Sequence, residues 1–192
     1  MAIKKLPKEL RIPKKNCKLC HLHKIRKNVC PGTGPGMASP IIFTGEAPGS
    51  QENLTGIVFC GRSGQFFNKV LKMLRVPRNY INAMNIISCC LPDNRDPSFE
   101  EVASCIPFLH EKIRAINPEL IVALGKVPFL HLTGYDTGVI RSHGIMQPYV
   151  KNENIDVLLT FHPAFIIRPF GSKYKKAFIR DIDNSLKFCG LR

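Results

Sequence analysis

Glu46, Asn85 and His162 are the polar side chains of this sequence whose surroundings point to chemistry. Glu46 lies in Gly45-Glu46-Ala47-Pro48-Gly49, a tight loop after the apolar run Ile41 to Phe43. In an open α/β sheet, groups in loops at the carboxyl ends of strands converge on bound substrate. His162 follows a second apolar run, Asp156 to Phe161, and Pro163 keeps its backbone out of the helical region, so it is placed to reach the same mouth. Asn85 sits among apolar neighbours in the run Tyr80 to Ser88. A buried amide must be paired, so it either meets a ligand or closes a local structural hydrogen bond. Taken singly, each has an ordinary reading: a solvated acid in a Gly/Pro turn, a packed histidine, a satisfied amide.

The thiols form a second group. Cys17-Lys-Leu-Cys20 lets two sulfurs point to one centre. Cys89 and Cys90 open a polar loop, Leu91 to Pro97, and Cys105 lies about two turns into the helix that follows. Eight cysteines in a chain of 192 residues are no disulfide scaffold, because a reducing compartment keeps thiols free and a core of this size needs no staples. Metal or cluster ligation is the better reading of the set, although Cys105 alone reads as an ordinary buried thiol.

The elements that must position these groups alternate. Strand runs are expected at Ile41 to Phe43, Tyr80 to Ser88, Leu120 to Leu124 and Asp156 to Phe161. Between them, residues 63–75 carry Phe66, Phe67, Val70, Leu71 and Leu74 at helical spacing. Ser98 and Glu101 make a capping-box signature for a helix that buries Phe99, Val102, Cys105, Ile106, Leu109 and Ile113 and stops before Pro118. Residues 126–133 suit a short helix, and 139–150 read as two short extended pieces around Ser142-His143-Gly144. Residues 172–188 read as a closing helix with Tyr174, Ala177, Phe178, Ile182 and Leu186 inward. Phe59 falls in the Gly56 to Gly61 loop, outside the apolar stripe of the next helix. This alternation predicts a three-layer α/β/α sandwich on a short, mainly parallel sheet. Residues 1–16, rich in Lys and Pro, read as a basic arm ahead of a single domain over 17–192.

Lys and Arg outnumber Asp and Glu by 28 to 14, a formal charge of +14 with pI near 9.6. Such an excess favours a polyanionic partner, nucleic acid before membrane. No apolar run approaches a membrane span, and the first residues are not followed by a signal-peptide core, so an intracellular, cytoplasmic protein is expected. No Gly-x-x-x-x-Gly-Lys-Ser/Thr loop supports a nucleotide-binding reading.

In order and spacing, Cys17-x-x-Cys20, Gly45 to Gly49 with Glu52, Gly56-x-x-Phe59-x-Gly61, Asn85 ahead of Cys89, Cys105 and His162-Pro163-Ala164 resemble the iron-sulfur (family 4) uracil-DNA glycosylases, from about Cys17 to Phe188. The resemblance implies that Cys17, Cys20, Cys89 and Cys105 bind a structural [4Fe–4S] cluster. Zinc is chemically open to four thiolates, and Cys90 is a neighbouring ligand in the wrong register. Cys30, Cys60 and Cys189 take no role.

It further implies a monomeric, monofunctional hydrolase that flips uracil out of single- or double-stranded DNA and cleaves its N-glycosidic bond, the first step of base excision repair. Phe59 would stack on the base and Asn85 would read its edge. His162 would stabilise charge on uracil O2, and Glu46 would position water or stabilise the sugar cation. Glu52 would crowd the uracil 5-position. Related glycosylases outside the family place Asp where this chain has Ala47, which lines the uracil site, and Asn53 stands where the family usually has Asp. Ile166 and Ile167 would wedge into the gap left by the flipped base, with Arg168 on a phosphate. The competing reading is a catalytically silent nucleic-acid-binding protein that kept the fold and cluster; the joint presence of Glu46, Phe59, Asn85 and His162 argues against it.

Overall fold

The computed structural model describes residue 13 and residues 15–192. The basic arm expected over 1–16 therefore lies almost wholly outside the described residues. Five strands make one sheet: β1 (Ile41–Gly45), β2 (Asn82–Asn85), β3 (Leu120–Leu124), β4 (Met146–Tyr149) and β5 (Asn152–Thr160), in the order β2-β1-β3-β5-β4. The first three and β5 are mutually parallel, and β4 closes the edge antiparallel to β5. Alternate residues of each strand face opposite layers. Ile41, Phe43, Val122 and Leu158 pack with Phe67 and Leu71 of α2 (Arg62–Met73) and with Phe178, Ile182 and Leu186 of α7 (Lys175–Phe188). Ile42, Ile121, Val157 and Leu159 pack with Val102, Leu109 and Ile113 of α3 (Phe99–Ile116) and with Phe129 of α4 (Lys126–Thr133). The result is the expected three-layer α/β/α sandwich.

Both halves of the capping box form at the start of α3: Glu101 N–H donates to the Ser98 hydroxyl, and Ser98 N–H donates to the Glu101 carboxylate. Several local expectations change. Phe99, expected in the core, is 88% exposed, because the first turn of α3 instead buries the side that carries Glu101 and Val102. Only Asn82–Asn85 of the run 80–88 is regular strand; Ile86 and Ile87 instead donate to Gly45 and Glu46 carbonyls and follow the β1 loop. Val139–Ser142 is a helical turn (α5) rather than an extended piece. The closing helix starts at Lys175, after a 3₁₀ turn over Phe170–Tyr174. Two short helices carry site residues: α1 (Ser50–Thr55), which sequence periodicity does not reveal, and α6 (Pro163–Ile166). Among the described residues no helix is long and apolar enough to cross a membrane.

Candidate active site and thiol cluster

The carboxyl ends of four adjacent strands place Asn85, Gly45-Glu46, Gly125 and His162 along one edge of the sheet. At the usual strand spacing, β2 and β5 are about 14 Å apart there, which side chains reaching inward from each can narrow to the width of a base. Gly45 pairs with Asn85 across the strands. A Cβ on Gly45 would stand 2.5 Å from Asn85 Oδ1 and 3.4 Å from Phe59 Cζ, so glycine is what allows amide and ring to close over the end of β1. Asn82, at the other end of β2, spends its amide on the N–H and carbonyl of Gly36; nothing comparable engages Asn85 among the described residues.

Phe59 reaches this point through an uncommon backbone, φ +59°, of a kind that costs on the order of 1–3 kcal/mol. Its ring is 93% buried and packs 5.7 Å from Phe67, so it belongs to the core as well as to the site. Gly64 supports the bend: a Cβ there would lie 2.0 Å from the Phe59 carbonyl oxygen. Glu52, buried on α1, accepts from Gly61 N–H at 2.8 Å, and its other oxygen approaches Gly49. Its carboxylate thus ties the Glu46 loop to the Phe59 loop, a strut function that the sequence reading of Glu52 did not include. Ala47 packs toward the cluster of Leu22, Val29, Ile87, Cys89 and Leu91.

Glu46 is half-buried. Burial, and then the neighbouring Asp96 carboxylate, push its pKa above the ordinary value. His162 caps α6, and its Nδ1 accepts from Ala164 N–H at 3.1 Å. A neutral ring that accepts at Nδ1 carries its proton on Nε2. Burial, with the Arg168 cation adding to it, pushes the His162 pKa down to about 4, so the ring is neutral at physiological pH. It opens on a cavity of about 730 Å³, shared with Gly125, Val139, Arg141, Phe161 and Phe165, within the range of about 300–1,000 Å³ usual for small-ligand sites. Asn85, Glu46 and Phe59 do not line that cavity, so the edge is brought together by the sheet rather than by one closed pocket.

Behind His162 lies a network that sequence patterning did not reveal. Thr160 Oγ1 donates to Asp181 Oδ2 at 2.8 Å, and His143 Nδ1 meets the same oxygen at 2.9 Å. The His143 ring lies 4.8 Å from Phe161, which stacks in turn on Tyr174 and Phe165. Of the proposed wedge, Ile166 is 98% buried in the core and does not present a surface, because the single turn of α6 points it inward. Ile167 is exposed, as is Arg168.

Three segments bring the thiols together. Arg26 donates to the Cys17 carbonyl and, at 3.8 Å, to Cys89 Sγ. Ser88 N–H donates to Cys105 Sγ at 3.3 Å, and Ser104 of α3 donates to the Leu19 carbonyl between Cys17 and Cys20. Glu101, fully buried, takes a bidentate Arg95 and lies 3.1 Å from His21, which holds the polar loop against the Cys17–Cys20 turn. Burial raises the pKa of Cys20, Cys105 and Cys89, the last to about 11, and Cys105 is within electrostatic reach of Cys20, Cys17 and Cys89. Cys90 instead answers to Glu52. Among the described residues, no three His, Cys, Asp or Glu side chains converge to hold a single metal ion.

A family model described as the uracil DNA glycosylase superfamily matches residues 31–183. A type-4 uracil-DNA glycosylase of Thermotoga maritima is 33% identical over 91% of this chain and 90% of its own length. Type-4 uracil-DNA glycosylases of Pyrobaculum aerophilum and Archaeoglobus fulgidus are 35% and 31% identical, over 80% and 91% of this chain and 81% and 89% of theirs.

Proposed function

The chain belongs to the uracil DNA glycosylase superfamily, alongside its type-4 members, and from that premise we propose how its own residues release uracil from DNA. A base inside a duplex is out of reach, so the nucleotide is flipped out, at a cost of a few kcal/mol that cationic contacts to phosphates help to offset. Phe59 stacks on the flipped base. Asn85 Oδ1 accepts from uracil N3–H while its NH₂ donates to O4. Cytosine presents the opposite polarity at both atoms, and the groups left unpaired reject it.

As the C1′–N1 bond breaks, its electron pair goes to the uracil ring and charge gathers on O2. His162 Nε2–H donates to O2. A donor held neutral stabilises the anion without first giving up a proton, which is what its burial and the Ala164 contact achieve. Water then bonds to C1′ and gives up a proton, and the uracil anion gains one. Glu46, ionised, stabilises the cationic sugar and orients that water. The bond from Ala164 N–H to His162 Nδ1, which leaves the ring proton on Nε2, is the single observation that carries this mechanism. Glu52 acts by holding the two loops in register, and Ile167 with Arg168 occupies the gap and an adjacent phosphate on duplex DNA. The protein acts as a monomer on single- or double-stranded substrate.

The thiols fit a [4Fe–4S] cluster held by Cys17, Cys20, Cys89 and Cys105. The four lie on three segments, and Cys20, Cys89 and Cys105 pack in or against one apolar group with Leu22, Val29, Ile87 and Leu91. The Arg26 guanidinium beside Cys89 offsets the charge of thiolate ligation. Such a cluster would supply a structural tie among these segments. Because Ala47 packs against the same apolar group, the tie extends to the Glu46 loop. The test is an oligonucleotide with one uracil, incubated with protein and treated with alkali. Wild type should yield strand cleavage at the uracil and His162→Ala should lose most of it. Intact oligonucleotide with well-folded wild-type protein would favour the silent binding module instead.

A further inference from the structure

Two cavities lie beside α2 and the turn that follows it, away from His162. One, of about 520 Å³, is lined by Thr33, Ile57, Val58, Phe59, Asn68 and Arg78 among others; the second, of about 400 Å³, is lined by Asn68, Lys72, Arg75, Val76, Pro77 and Arg78. Asn68 and Arg78 belong to both, so the two form one trough beside α2, a helix about 18 Å long at 1.5 Å per residue. Among the described residues its charged wall is entirely cationic: Lys72, Arg75 and Arg78, with no Asp or Glu lining either cavity.

Two observations set this wall apart from a solvated basic face. The Arg78 guanidinium is partly buried and, among the described residues, donates only to neutral oxygens, the Ile81 carbonyl and Thr33 Oγ1. A desolvated cation without an acid is costly and is relieved by an anion. Among the described residues Asn68 Oδ1 is buried without a partner, so the trough also keeps an amide whose hydrogen bonding is unfinished. At the opposite end, exposed Ile57 and buried Phe59 give an apolar floor. Phe59 is the ring that meets Gly45 and Asn85, so the trough begins where the base-stacking ring ends.

We propose that this trough carries the single strand that continues from the flipped nucleotide, its phosphates on Lys72, Arg75 and Arg78 and its sugars against Ile57 and Val58. The contact is sequence-independent, since phosphates and sugars, the groups it meets, carry no sequence information. It rests on the glycosylase reading only in that a strand enters at Phe59.

Lys72→Ala with Arg75→Asn tests it. Both side chains are exposed, and Asn tolerates the left-handed backbone at Arg75, φ +61°. Binding of fluorescein-labelled single-stranded oligonucleotides is measured over about 50 to 200 mM salt, with one uracil in the middle of a short strand or of a long one that reaches past the trough. The double variant should bind the long strand more weakly, with the slope of log K against log salt smaller by about 1.4, two phosphates at about 0.7 each, and should bind the short strand as wild type does. Lys72→Gln alone should lose about half of that slope. Unchanged binding of both strands, as an acidic protein partner for this face would give, overturns the proposal, and so does equal weakening of both. Uracil release by wild type, measured alongside, reports separately on the glycosylase reading.

Discussion

Gly64→Ala should disable the site although Gly64 itself does not meet substrate. The added Cβ would fall 2.0 Å from the Phe59 carbonyl oxygen, 2.2 Å from its carbonyl carbon and 2.4 Å from its Cα, all backbone atoms that cannot swing aside as a side chain can. To restore an ordinary contact of 3.4 Å the Phe59 loop must retreat by about 1.4 Å, and a misplacement of about 1 Å costs roughly 100-fold in rate. The retreat also pulls on Gly61 and so on its bond to Glu52, which anchors the neighbouring loop. The expected result is a fall of about 100-fold, or about 2.7 kcal/mol, in single-turnover uracil release at saturating protein, with a folded far-UV spectrum and a Tm a few degrees lower. Gly138→Ala is the control: it lines the His162 cavity, yet its Cβ would meet nothing within 4 Å, so rate and Tm should not change. A folded Gly64→Ala protein that keeps its single-turnover rate within about threefold of wild type would refute the claim that the Phe59 backbone sets the site.

Asn85→Asp should narrow the preference for uracil over cytosine, since an ionised carboxylate cannot donate to O4; competition between the two oligonucleotides reads it, and an unchanged preference means that Asn85 does not read the base. Glu46 works ionised and its pKa is raised, so activity should climb with pH through that raised value, while His162, already neutral above about 4, adds no further limb. Asp96→Asn removes the like charge beside Glu46, which should move this acid limb to lower pH in a kcat profile; a limb that stays in place assigns it to another group. Ile167→Ala should slow cleavage of duplex more than of single-stranded substrate, and equal losses would show that Ile167 does not act as a wedge. Cys17→Ser or Cys105→Ala should remove a brown absorption near 400 nm, expected of an iron-sulfur protein, together with much of the soluble yield. A colourless wild type with stoichiometric zinc would overturn the iron assignment and leave the glycosylase one standing.

The layers of this fold were legible because the relevant signals are local. Short apolar runs ending in Gly or Pro became β1, β3 and β5, and the Ser98–Glu101 box capped α3 where it was expected. The positions of Glu46 and His162 followed from the rule that strand ends face the ligand, whereas Asn85, expected inside a strand over 80–88, stands at a strand end because regular pairing stops there. What the sequence hid depends on packing between distant segments. Four-residue α6 has too little periodicity to say that Ile166 turns inward and Ile167 outward. α1 has no apolar stripe and is tied across to Gly61 by Glu52. Phe59 read as a loop aromatic because its burial comes from Phe67 and from the missing Cβ atoms of Gly45 and Gly64, which no pattern around residue 59 encodes.

The same division separates the residues that meet substrate from those that set their chemical state. Glu46 owes its raised pKa in part to Asp96, fifty positions away, and His162 owes its Nε2 proton to the backbone of Ala164. The strand that delivers His162 is anchored at Thr160 by Asp181, which in turn holds His143, two partners 21 and 38 positions from it in sequence. A buried carboxylate with two partners is costly to half-satisfy. Asp181→Asn should therefore loosen the exit of β5 and lower kcat with little change in KM, and a change in KM alone would assign Asp181 to binding rather than to holding His162 in place.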